Sequence, residues 1–196
     1  MFSPQSSVQD QPEIIPAGSL VKAVLVVKDT KQSKTSGATY TDIELRVCEG
    51  NFEKRVFFDM IMNPFDANAS DGGRKMGILA LTRICEAVGI FSVTDPKSYE
   101  RYSDPATTIY DVLPDIDGQI VAVKVKIEKG TDGRVDRNKV AEWLTPNPNS
   151  GTGFKGWEEL RNGPSNPPQR ATAFAGNSAA AASNSTSPKW LKNPSA

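Results

Sequence analysis

The 196-residue chain balances 23 Lys and Arg against 23 Asp and Glu, has no histidine, and is only 38% apolar, so part of it lies outside any core. Without histidine the commonest general base and the usual metal ligand are missing. The two cysteines, Cys48 and Cys85, lack the spacing of a zinc site and read as two buried reduced thiols, so composition points away from an enzyme, a catalytic centre, a metal or a cofactor.

Residues 1–15 read as a flexible N-terminal arm. The first 17 residues are polar and carry Pro4, Pro12 and Pro16 without a basic start or an apolar run, which predicts no signal peptide and a cytoplasmic location. No window approaches the ~20 apolar residues of a membrane span. From Ser19 to Lys28, Val21, Ala23, Leu25 and Val27 alternate with Lys22, Val24, Val26 and Lys28, the two-residue period of a strand with one buried face. A polar loop, 29–38, carries Lys31 and Lys34 at its tip. The second strand, Thr39–Cys48, turns Ile43, Leu45 and Val47 inward, and Tyr40, Asp42, Glu44 and Arg46 outward. Glu49-Gly50-Asn51 then makes a hairpin turn.

The third strand, Phe52–Met62, poses a register question, because Phe57 and Phe58 must face opposite ways. Asp59 shares a face with Phe57, and a buried unpaired aspartate is costly. That argument puts Val56, Phe58, Met60 and Met62 inside, with Arg55 and Phe57 outside. The opposite register, with Phe57 in the core, stays open on sequence grounds.

Ser70 or Asp71 is the expected N-cap of a helix running to about Val88 and stopped by Gly89, with Met76, Leu79, Ala80, Ile84, Ala87 and Val88 as its apolar stripe. Gly72-Gly73 at its start reads as helix-entry flexibility four times as readily as a phosphate cradle. The acidic connection, 90–117, holds Asp95, Glu100, Asp104, Asp111, Asp115 and Asp117 and a short helix near Ala106–Leu113. A fourth strand spans Gln119–Glu128, with Lys124 and Lys126 facing out. A turn with Lys129 leads through Arg134 and Arg137 to a fifth strand, about Asn138–Leu144.

Five strands with one α-helix between the third and fourth is the element order of an OB-fold barrel. The expected fold is therefore mainly β: a five-stranded OB-fold domain over 16–146, followed by a disordered C-terminal tail, 147–196. That tail is rich in Pro, Gly, Ser, Asn and Ala, and its five cations against two carboxylates leave the body with a surplus of three acidic charges.

An OB-fold binds single strands on its second and third strands, between two loops. Cations track phosphates there and flat rings stack on unpaired bases. The candidate nucleic-acid-binding set is Lys28, Lys31, Lys34, Tyr40, Arg46, Arg55, Phe57, Lys124, Lys126, Lys129, Arg134 and Arg137. Against it stand the solvated-face reading of any single Lys and the carboxylates of Asp42, Glu44 and Asp59 on the same face.

The runs I-P-A-G-S-L-V-K-A-V-L, K-Q-S-K-T-S-G-A-T-Y-T-D-I-E-L and F-F-D-M-I-M-N-P-F-D-A-N-A-S carry a family likeness, and so do the helix G-R-K-M-G-I-L-A-L-T-R-I-C-E-A-V-G and the hairpin beginning V-A-V-K-V-K-I-E-K-G. Over residues 14–146 the chain resembles phage-encoded single-stranded-DNA-binding proteins of the OB-fold class. The resemblance implies sequence-tolerant binding and protection of single-stranded DNA during replication or recombination, in the host cytoplasm, with DNA contacts from the loop lysines, the hairpin lysines and the outward aromatics. Bacterial single-strand binders usually end in an acidic peptide that recruits partners, whereas this chain ends K-W-L-K-N-P-S-A. The tail is then either a plain linker or a weak DNA-binding extension, with Trp157 and Trp190 as anchors, or a contact for replication or recombination proteins. The rival reading of the whole chain is an OB-fold protein–protein adaptor in a replication or recombination assembly.

Overall fold

Period-two patterning becomes one five-stranded antiparallel sheet. In the computed structural model, which describes residues 14–131 and 134–162, the strands are β1 (Leu20–Gln32), β2 (Thr39–Val47), β3 (Val56–Met62), β4 (Ile120–Glu128) and β5 (Arg137–Leu144), in the order β3-β2-β1-β4-β5. β1 runs four residues beyond the expected end. Its pairing with β2 shifts between Val27 and Thr30, a bulge that lets the strand bend. Of the inward sets expected on β1, β2 and β4, Val21, Ala23 and Leu25, then Ile43, Leu45 and Val47, then Val121, Val123 and Val125 are buried, while Val27 and Ile127 at the strand ends are half-buried.

On β3 the expected register is reversed. Phe57 and Ile61 are buried, while Val56, Phe58 and Met60 are 48%, 59% and 45% exposed. The cost assigned to a buried Asp59 is offset by partners 80 residues away, because its carboxylate accepts the Val140 backbone N–H at 2.7 Å and the Lys139 ammonium at 3.2 Å. Asp59 thus bridges the sheet's two edge strands. β3 also starts later than expected. The hairpin loop before it turns on Gly50 and on Lys54, whose φ of 70° is unusual for a residue with a side chain.

Three α-helices occur among the described residues, not one. α1 (Asp71–Ala87) opens on Ser70, whose hydroxyl accepts the Gly73 N–H at 3.2 Å, so that N–H serves the cap. It closes on Gly89 at φ 79°, with Gly89 N–H to the Glu86 carbonyl and Ile90 N–H to the Cys85 carbonyl, a Schellman ending. The buried face is Gly77, Leu81, Ile84, Cys85 and Glu86; of the expected stripe Ile84 is buried and Val88 packs on the core, but Met76 and Leu79 are 67% and 51% exposed. Gly77 sets that rotation, because a Cβ there would stand 2.3 Å from the Met62 carbonyl oxygen. Only glycine lets the helix lie so close to the end of β3.

α2 (Ile109–Ile116) lies slightly downstream of the short helix expected in the acidic connection and buries Ile109, Val112, Leu113 and Ile116 against the same core. Asp111 caps it by accepting from the Thr108 N–H and hydroxyl, both at 2.8 Å. These hydrogen bonds hold its carboxyl below the usual carboxylate value.

Both expected domain boundaries move outward. Ile15, assigned to the arm, is a fully buried core residue clamped by Asn138, whose side chain accepts the Ile15 N–H at 2.9 Å and donates to the Ile15 carbonyl at 2.7 Å. Residues 1–13 lie outside the described residues, as does 163–196 of the expected tail, including Trp190. Residues 148–162, also expected to be tail, form a short 3-10 turn (Pro148–Ser150) and α3 (Thr152–Asn162).

α3 is held by tertiary packing: Gly153 stands against the Trp143 carbonyl and Gly156 against the Leu144 side chain. The segment leading to it is tied to α1 by the buried Glu86 carboxylate, which accepts from Tyr99, Thr145 and Asn147 at 2.6–2.8 Å. Cys85 is buried as expected, but Cys48 is exposed at the end of β2. Among the described residues, no helix is long and apolar enough to cross a membrane.

Candidate nucleic-acid interface

The pairing registers lay out the outward sheet face row by row. Val56 on β3 stands beside Arg46 on β2 and Val24 on β1; Phe58 beside Glu44 and Val26; Met60 beside Asp42; Met62 beside Tyr40 and Lys31. Residues paired across antiparallel strands point to one side. Phe58 therefore sits amid a half-exposed apolar strip, flanked by Val56 and Met60 along its own strand. Leu144 and Ala122 form a pair farther across the sheet and are both buried. α3 packs on Leu144 there and also touches β1, while Val56, Phe58 and Met60 on β3 and Arg46 on β2 stay exposed.

Charge on the β1–β2–β3 portion is arranged in pairs. Glu44, 8% exposed, receives the Lys28 ammonium at 2.9 Å and the Arg46 guanidinium. Those two cations hold its carboxyl below the usual value. Asp42 accepts from the Lys31 ammonium at 2.6 Å, which raises the pKa of that lysine. Of the three carboxylates weighed against this face, Asp59 turns to β5 while Glu44 and Asp42 are each covered by a cation, so three cations are oriented by two acids.

Of the sequence-derived candidates, the structure brings Lys28, Lys31, Tyr40 and Arg46 together here; Tyr40 is half-buried on the outward side. Phe57 does not belong, being sealed in the core at 4% exposure, and Phe58 takes its place. Lys34 is exposed in the loop between β1 and β2. Arg55 and Arg137 line a cleft of about 570 Å³ between the starts of β3 and β5, together with Lys54. Lys129 and Arg134 are exposed on the β4–β5 connection, where the Lys129 ammonium meets Asp136 at 2.6 Å. Lys124 and Lys126 are exposed on β4, two strands from β2, and do not join the cluster.

Sequence reasoning missed Phe58, Val56, Met60 and Lys54. The two-residue period contained the first three, but nothing local to β3 chooses between its faces. Among the described residues, no group of three or more His, Cys, Asp or Glu is placed to hold a metal ion. No protein-family model matches the sequence, and no curated protein is significantly similar to it.

Proposed function

We propose that this chain is a non-enzymatic binder of single-stranded DNA that protects unpaired strands during replication or recombination. The observation that carries the reading is Phe58, a 59% exposed ring on a sheet face bordered by Arg46, Lys28 and Lys31. An exposed flat ring offers a stacking surface to any unpaired base, worth roughly 1–3 kcal/mol each, and neighbouring cations neutralise phosphates. The strand order, with Asp59 joining the outer strands β3 and β5, supports reading the sheet as an OB-fold barrel, whose second and third strands form such a surface. The resemblance to phage-encoded single-strand binders points the same way.

Titration of labelled oligo-dT with the protein, followed by anisotropy at two salt concentrations and repeated with duplex DNA, tests the reading. The expected result is tight binding to the single strand, weakening steeply as salt rises. No binding to the single strand at low salt overturns it.

A second reading, a protein–protein adaptor of the same fold, is favoured by the exposed apolar residues Met76, Ile78 and Leu79 on α1. Recovery of a protein partner that survives nuclease treatment, with no DNA binding by the purified chain, supports it.

A further inference from the structure

We infer that the cleft between the starts of β3 and β5 receives one end of the bound single strand, with Lys54, Arg55 and Arg137 taking its phosphates. The inference rests on the single-strand reading above and extends the binding surface beyond the sheet face. Three observations carry it.

The cleft, at about 570 Å³, falls within the usual range of ligand pockets, and it combines an apolar floor with a cationic rim. Ile15 and Phe57 are buried beneath it, while Lys54 and Arg137 are exposed at its edge. Its carboxylate, Asp136, is already occupied by the Lys129 ammonium and the Gly130 N–H. Arg137 gives its Nε to Glu128 at 2.5 Å, and the guanidinium retains further N–H donors. A polymer alternating flat bases with anionic links suits that mixture.

The cleft is continuous with the sheet face. Phe58 lines it and also stands in the outward row beside Glu44, so one ring borders both surfaces. A strand stacked on Phe58 has its next phosphate delivered to the rim.

Lys54 occupies a backbone position that disfavours it. At φ 70° a Cβ crowds the following carbonyl oxygen, and glycine fits the position without that strain. Its N–H closes the hairpin onto the Val47 carbonyl at 2.9 Å, so the turn itself needs no lysine side chain. The ammonium is accounted for by the cleft edge that it borders.

The test uses the full chain with Lys54→Gly, Arg137→Gln and the double variant. Lys54→Gly suits the turn, so thermal unfolding should show no loss of stability. Affinity is measured for an oligo-dT of about 5 nucleotides and one of about 15, the span of single-strand sites on such folds. For the double variant, binding of the longer oligomer should weaken about tenfold while the short oligomer is unchanged. The slope of its salt dependence should become shallower by about 0.7 for each phosphate that the variant no longer neutralises. Equal weakening of both lengths, or no change in either, overturns the cleft assignment and leaves the single-strand reading standing. Failure of the unsubstituted protein to bind either oligomer overturns both.

Discussion

The Asp59 carboxylate on β3 accepts the backbone N–H of Val140 on β5 at 2.7 Å, so a side chain joins the two outer strands of the sheet. The same carboxylate meets the Lys139 ammonium, and both side chains are mostly buried, at 17% and 11% exposure. Removing the acid leaves a covered N–H without its acceptor and a covered cation without its counter-charge.

Asp59→Ala is therefore expected to lower the unfolding free energy by about 3 kcal/mol, as breaking a buried pair does. Asp59→Ala combined with Lys139→Met should recover part of the loss. Urea unfolding of the three proteins decides the matter. A change under about 0.5 kcal/mol for the single variant, the range of ordinary surface substitutions, would show that the strands do not depend on this acid.

Phe57 and Phe58 are adjacent, yet their truncations should separate stability from binding. Phe57→Ala empties a core position and should cost about 3–5 kcal/mol. Phe58→Ala should leave stability within about 0.5 kcal/mol and weaken oligo-dT binding by at least about fivefold, the low end for removing one stacked ring. Denaturant melts paired with anisotropy titrations measure both. Unchanged affinity in Phe58→Ala removes the centre of the proposed face.

Glu44 supplies a pH dependence. Lys28 and Arg46 depress its carboxyl below 4.5, so its contribution to stability is present above that value and drains away as pH falls through the lowered folded value. The stability difference between the parent protein and Glu44→Gln should be largest near neutrality and shrink toward zero in strong acid. Unfolding midpoints at pH 7 and pH 3 give the comparison. A constant difference across that range would mean that the carboxylate is not stabilised by its two cations.

The two thiols should react at different times. Cys48 is exposed, whereas burial pushes the Cys85 thiol up to about 12, far from the thiolate that reacts. A thiol reagent at pH 8 should titrate one cysteine in the native protein and two in denaturant. Rapid modification of both in the native state would contradict the burial of Cys85.

Legibility in the sequence followed the range of the interactions. β1, β2 and β4 could be read because each alternates cleanly, and α1 because Ser70 and Gly89 mark its ends locally. The face of β3 could not, since the partners that accommodate Asp59 come from β5. α3 hid among Gly, Pro, Ser and Asn for the same reason: it is fixed by Leu144 and Trp143 rather than by helix propensity. The spacing of Phe154, Trp157 and Leu160, three residues apart, was its one local signal. Ile15 carried no pattern, because its partner is Asn138. Within the candidate interface, Lys28 and Arg46 were legible from their strands, and the exposed ring was off by one residue, since a register error exchanges the two sides of a strand.

The Asn138 clamp on Ile15 spans 123 positions of chain. During synthesis Ile15, the earliest core residue among the described ones, must wait for the last strand, β5, before its backbone finds this partner. Closing so long a loop carries an entropy cost that the sequential hairpins do not, so this clamp is expected to form after them. Until β5 arrives, Asp59 on β3 likewise lacks both of its partners.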